Sequence, residues 1–78
     1  MKNKHKLLFV DDDETFSKVM KKELTRKGHS VVCVDSGETA VGELKKRNFD
    51  VIILDMKMPG IGGLKTLKRA KKIDPEIE

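Results

Sequence analysis

Three short apolar runs alternate along the chain with segments whose apolar residues recur every three to four positions. Leu7-Leu8-Phe9-Val10 is the first run, and Asp11-Asp12-Asp13 closes it. A run of apolar residues without alternation predicts a strand buried on both faces. Val31-Val32-Cys33-Val34 and Val51-Ile52-Ile53-Leu54 repeat the pattern, the last closed by Asp55. Phe16, Val19, Met20 and Leu24 share one helical face, with an acidic start at Asp13-Glu14 and a stop at Gly28. Ser36 is placed to cap a second helix, with Glu38 in its first turn and Ala40, Val41 and Leu44 on its apolar face. Met58 to Gly63 reads as a loop, because Pro59, Gly60, Gly62 and Gly63 break both periods. Leu64, Leu67, Ala70 and Ile73 mark the face of a third helix, ended by Asp74-Pro75.

The order β-α-β-α-β-α predicts an α/β fold: a parallel sheet with helices on both faces and right-handed crossovers. In a doubly wound sheet the strand order is 2-1-3. Residues 1–78 make one domain, without an internal repeat, a low-complexity tract or a linker. Strands start near residues 7, 30 and 50. At that spacing a five-stranded sheet needs roughly 110–120 residues, so the expected domain is incomplete, with strands four and five and their helices missing. Glu76-Ile77-Glu78 reads as the lead-in to a fourth strand. Strand three would then be an edge with apolar faces and unpaired backbone groups, which invites pairing. The expectation is a chain that folds poorly alone or is rescued by self-association across strand three.

Candidate chemistry sits at the strand ends. Strand one lies between strands two and three, and ligands bind beyond the carboxyl ends of strands at such a switch point. Neighbouring parallel strands are about 4.8 Å apart, so Asp11, Asp12 and Asp55 should converge. Three converging carboxylates need protons or a cation to offset their repulsion. An all-oxygen set suits Mg²⁺ or Mn²⁺. A carboxylate beside such a metal can attack a phosphoryl group and form an aspartyl-phosphate, the metal neutralising the repulsion. The bland reading is that Asp11 to Asp13 only cap the first helix and Asp55 is a solvated loop acid. Asp12 or Asp13 is expected to cap in either case.

Composition narrows the classes. No apolar run approaches the roughly 20 residues needed to span a bilayer, and the basic start, Met1 to Lys6, lacks a small-residue cleavage site. Cys33 is the single cysteine, which excludes a disulfide framework and a cysteine zinc cluster. A reducing cytoplasm is the expected location. The net charge of +4 invites a nucleic-acid reading, but the lysines and arginines recur between apolar helix positions, as on solvated faces. Tyr and Trp are absent, so no stacking platform for single strands exists. Cys33 is expected in the core of its strand, and His5 and His29 on solvated surface.

Leu8-Phe9-Val10-Asp11-Asp12-Asp13 and Asp50-Val51-Ile52-Ile53-Leu54-Asp55-Met56-Lys57-Met58-Pro59-Gly60 together resemble the receiver domain of two-component response regulators, the CheY-like family. The resemblance runs from strand one through helix three. It implies a flavodoxin-like fold and a module in a histidine-to-aspartate phosphorelay that catalyses its own phosphorylation and is not otherwise an enzyme. It implies a sensor histidine kinase or phosphotransfer protein as donor, and contact with nucleic acid only through a separate effector domain. By position, it makes Asp55 the phosphoacceptor. Asp11, Asp12 and Asp55 hold Mg²⁺, one of the pair through water, and the backbone carbonyl of Lys57 completes the shell. In the family a Ser/Thr ending strand four and a Lys ending strand five also contact the phosphoryl group, and no residue here takes those roles. Lys57 either leans over the phosphate and alters its hydrolysis or points to water.

Two rivals have motifs of their own. Asp11-x-Asp13-x-Thr15 matches the first motif of haloacid-dehalogenase-type phosphatases, with Asp11 as nucleophile and Asp13 as general acid. That class needs a further acidic pair that Asp55 to Met58 does not supply. A basic nucleic-acid-binding fragment would rest on the net charge, with helix three, Lys65 to Lys72, as its best element.

Overall fold

Leu7-Leu8-Phe9-Val10 lies at the centre of a three-stranded parallel sheet, with all four side chains buried. The computed structural model describes residues 4–78; Met1, Lys2 and Asn3 of the basic start lie outside the described residues. The elements are β1 (Lys6–Val10), α1 (Glu14–Arg26), β2 (Ser30–Val34), α2 (Gly37–Lys46), β3 (Val51–Leu54) and α3 (Gly62–Ile73). The sheet order is β2-β1-β3, both pairings parallel, as the alternating pattern predicts.

The pleat sends alternate residues of β1 to opposite faces. Leu7 and Phe9 pack with Val31 beneath Met20 and Leu24 of α1. Leu8 and Val10 pack with Ile52 beneath Ala40 and Leu44 of α2 and Ala70 of α3. Capping follows the sequence. The Asp13 carboxylate accepts from Phe16 N–H at 3.0 Å, and Ser36 Oγ accepts from Thr39 N–H at 3.1 Å. Each satisfies a helix-start donor that has no partner within the helix. Gly28 stops α1 with φ +98°, a conformation that costs glycine little.

Two helix faces differ from expectation. On α1 the inward residues are Ser17, Met20 and Leu24, while Phe16 is 47% and Val19 54% exposed. Phe16 reaches back to Phe9, ring centroids 6.0 Å apart, but its outer side, like Ile53 of β3, faces solvent. On α3 the buried stripe is Gly63, Thr66 and Ala70; Leu64 is 58% exposed, and Ile73 is also exposed. Apolar spacing alone placed Leu64 and Ile73 inward. The closer approach allowed by Gly63 rotates the small residues inward instead. The helix accordingly starts at Gly62, inside the stretch read as loop.

Residues 76–78, read as the lead-in to a fourth strand, lie against β3 and cover part of the edge expected to be bare. Ile77 is buried in the larger core cluster, beside Phe49, Ile52 and Met58. Glu78 N–H donates to Asp50 O at 3.2 Å, and Ile52 N–H donates to Glu78 O at 2.7 Å. Glu78 thus occupies the outer edge of β3 at its start, bonding Asp50, just before the strand, and Ile52 within it, as a parallel neighbour does. The edge expected to be bare is open only toward Ile53 and Leu54. At the amino edge of the sheet, His5 and His29 are half-buried rather than solvated. Their rings stack 5.5 Å apart, and His5 N–H donates to His29 Nδ1 at 3.2 Å.

Candidate metal centre

Val10 and Leu54 are register partners, so the residues that follow them, Asp11 and Asp55, leave the sheet side by side. Asp11 N–H donates to Val34 O at 3.1 Å and Asp55 N–H to Val10 O at 2.9 Å. Each acid is therefore fixed by the last backbone bond of its strand pair. Asp11, Asp12 and Asp55 each present one carboxylate oxygen, all within 4.8 Å of one another. Asp11 and Asp55 are half-buried and Asp12 is exposed.

One oxygen on each inner acid is already used. Asp11 Oδ1 accepts from Asp13 N–H at 2.9 Å, and Asp55 Oδ1 accepts from Lys57 N–H at 3.0 Å. These turns, from a carboxylate to the backbone two residues on, hold the side chains in place. The second oxygens accept no protein hydrogen bond among the described residues. None of the three acids joins an ion pair among the described residues either. Three carboxylates thus face one volume with no ion-pair partner among the described residues. Mg²⁺ binds oxygens at about 2.0–2.1 Å, which puts opposite ligands about 4.2 Å apart, so the spacing of these oxygens fits one hard cation. Asp13 is not in the group. It caps α1, which removes the general acid of the phosphatase reading.

The Asp55–Ile61 segment is held by contacts that the sequence reading missed. Met58 is buried in the core beside Ile77 and Ala70, although the sequence placed it in a loop. A Cβ on Gly63 would lie 2.4 Å from Met56 Cα and 2.7 Å from Asp55 O, so the first turn of α3 sits directly on the Asp55–Met56 peptide. Gly60, at φ +81°, faces the Glu38 carboxylate of α2. A Cβ on Gly37 would lie 1.9 Å from Thr66 Oγ1. Thr66 is fully buried, and its hydroxyl donates to Gly62 O at 2.6 Å. The readable signal was the Gly62-Gly63 pair in a helix start, where glycine costs stability unless a close approach needs it.

Beside the acids, a cleft between α1 and β2 is lined by Asp11, Asp12, Ser17, Lys21 and Cys33. Cys33 is half-buried rather than fully in the core, and its Sγ lies 3.8 Å from Ser17 O. Burial pushes its thiol pKa up, and the Lys21 ammonium pulls weakly the other way. The neutral thiol is therefore favoured in the fold. Its contribution to stability is present below the unfolded thiol's pKa and is lost as pH rises through the folded one. Alkylation at pH 8 should run slower on the folded chain than on the same chain in denaturant, beyond what the reagent's own rate change explains. Equal corrected rates would show an unperturbed thiol.

The sequence model of the response regulator receiver domain matches residues 7–78. Transcriptional regulatory protein AfsQ1 of Streptomyces coelicolor is 35% identical over 68 residues, covering 87% of this chain and 30% of its own length. The response regulator TrrA of Thermotoga maritima, solved with Mg²⁺-BeF, superposes with TM-score 0.88 at 32% identity over 100% of this chain and 65% of TrrA. TrrA bound to the histidine kinase ThkA superposes with TM-score 0.87, again at 32% identity and with the same coverage. The chain thus spans under a third of AfsQ1 and just under two thirds of TrrA. No helix among the described residues is long and apolar enough to cross a membrane. Strand order, the convergent acids and the match over residues 7–78 agree: the chain belongs to the response regulator receiver domain family.

Proposed function

We propose that this chain is the phosphoacceptor of a histidine-to-aspartate phosphorelay and that Asp55 receives the phosphoryl group. The observation that carries the reading is the meeting of three carboxylates, none with an ion-pair partner among the described residues, within 4.8 Å at the ends of two adjacent strands. Asp11, Asp12 and Asp55 would hold Mg²⁺, with the backbone carbonyl of Lys57 as a fourth donor. When bound, the ion offsets the repulsion between carboxylate and phosphoryl oxygens. Mg²⁺ is preferred to Mn²⁺ because the solved relative TrrA carries it.

The free Asp55 oxygen attacks phosphorus as the P–N bond to a donor histidine breaks, and the released imidazole nitrogen takes a proton. The Lys57 N–H bond to Asp55 Oδ1 holds the carboxylate so that its other oxygen points outward. The donor is a sensor histidine kinase or a phosphotransfer protein. ThkA bound to TrrA supports the first. The chain acts on itself and turns over no other substrate, and a cytoplasmic location follows from that donor. A phosphoryl group on Asp55 would act by shifting a pre-existing conformational equilibrium.

The test is intact mass after incubation with Mg²⁺ and a small phosphoryl donor such as acetyl phosphate. The expected result is a gain of one phosphoryl group that chelation with EDTA abolishes. No gain, on this chain and on one extended through strands four and five, would defeat the reading.

Self-association belongs to the same proposal. Exposed Phe16, Val19 and Ile53 and the open end of β3 favour pairing of two copies along that edge. A well-folded monomer at micromolar concentration in analytical ultracentrifugation would sink it.

A further inference from the structure

Helix α3 carries a charge distribution unlike that of the other two helices. Its sequence from Gly62 to Ile73 holds five cations and no acid. α1 and α2 carry acids as well as cations, and the pairs Arg26–Glu23 in α1 and Arg47–Glu43 at the α2 C-cap form at 2.8 and 3.2 Å. Lys65, Lys68, Arg69 and Lys72 stand at i, i+3, i+4 and i+7, the spacing of one helix face, and all four are exposed. None joins an ion pair among the described residues. Lys71 is separate, because its ammonium donates to Ile77 O. The acids that follow, Asp74 and Glu76, lie beyond the helix end, and Asp74 Oδ1 is occupied by Glu76 N–H.

Like charges at i and i+4 destabilise a helix by a few tenths of a kcal/mol per pair. Only Lys72 and its neighbour Lys71 stand in the last turn, where the helix dipole offsets that cost. The stripe therefore opposes the stability of the helix that carries it. We propose that this face of α3 docks on the phosphate backbone of duplex DNA without reading its sequence, at a surface separate from the acidic site.

Charge complementarity favours this occupant. The face presents four exposed cations, no acid and no ion pair among the described residues, and duplex DNA presents a continuous line of phosphates whose neutralisation releases counterions. Single strands fit less well, because Phe9 and Phe49 are buried and Phe16 lies on α1, which leaves no aromatic on this face for stacking. A lipid surface fits less well too, because a membrane-lying helix needs a broad apolar face and this face offers only Leu64 at its margin.

The test is fluorescence anisotropy of a labelled 20-base-pair duplex against the full chain, between 50 and 200 mM NaCl. Four phosphate contacts predict a log-log salt slope of about −3.6, hence a loss on the order of a hundredfold over that range. The combined variant Lys65→Gln, Lys68→Gln, Arg69→Gln, Lys72→Gln should lose at least tenfold in affinity at 50 mM and most of the slope. A matched variant, Lys4→Gln, Lys18→Gln, Lys22→Gln, Lys27→Gln, removes the same charge elsewhere and should stay within threefold of the unchanged chain. If circular dichroism shows the first variant unfolded, the pairs Lys65→Gln with Arg69→Gln and Lys68→Gln with Lys72→Gln supply the same reading. Three results overturn the proposal: no binding at 50 mM, equal loss in both four-residue variants, or displacement by polyglutamate as effective as by unlabelled duplex, which would assign the face to an acidic protein.

Discussion

Asp55→Asn is expected to abolish the phosphoryl gain completely while leaving the fold intact. Asparagine matches the shape of aspartate, and its amide oxygen can still accept the Lys57 N–H that Asp55 Oδ1 takes at 3.0 Å. It is uncharged and a poor nucleophile, so no acyl-phosphate forms. The two effects separate cleanly because the three acids oppose one another without metal. Removing one negative charge from a group packed within 4.8 Å relieves repulsion, so the metal-free variant should unfold at an equal or slightly higher denaturant concentration. Mg²⁺ should then stabilise the variant less than the unchanged chain, since stabilisation by a ligand follows its affinity for the folded state. A variant that still gains one phosphoryl group would move the acceptor role to Asp11 or Asp12. A variant that simply unfolds would make the lost mass shift uninformative, and the denaturation curve detects that case.

The second large effect is expected at a residue with no side chain. Gly63→Ala puts a methyl 2.4 Å from Met56 Cα and 2.7 Å from Asp55 O. Both contacts are backbone, so no rotamer change relieves them. Alanine gains at most about 1 kcal/mol over glycine in a helix. Overpacking costs about 1–3 kcal/mol, occasionally more, so the clash prevails and the chain should lose net stability in urea. The relief route matters more than the energy. Either α3 tilts away, which opens the core at Ala70, or the Asp55–Met56 peptide shifts, which moves the acceptor relative to Asp11 and Asp12. Mg²⁺ binding, read by titration on the fraction that remains folded, should weaken by tenfold or more. Unchanged metal affinity in a destabilised variant would show that α3 yields first and the site does not depend on this contact. Gly37→Ala differs in kind, because its first obstacle is the Thr66 hydroxyl, a side-chain atom.

Much of this was legible in the chain because single local rules governed it. The unbroken apolar runs marked three strands, and the cap residues Asp13 and Ser36 marked two helix starts. Convergence of Asp11, Asp12 and Asp55 needed only the 2-1-3 order. The missed features depend on distances between elements. Leu64 and Ile73 fit a helical apolar period but face water, because a glycine contact decides how α3 is rotated. Met58 looked like loop, and Ile77 was read only as part of a lead-in to a further strand, yet both fill the space under α2 and α3. His5 and His29 are 24 positions apart, and only the pairing of Lys6 with Ser30 brings their rings together. The basic run of helix three, Lys65 to Lys72, was legible too; that no acid of the fold pairs with Lys65, Lys68, Arg69 or Lys72 among the described residues was not.

The docking of Ile77 and Glu78 bears on how quickly two copies could meet. A partner strand needs the same outward backbone groups that Glu78 already bonds, at Asp50 and at Ile52 of β3. To free them the chain must first draw Ile77, 1% exposed, out of the core and into water. Release of Ile77 and Glu78 is a first-order event. At high protein concentration, assembly through this edge would therefore level off at a rate that further protein cannot raise, with Ile77 and Glu78 acting as the competing strand.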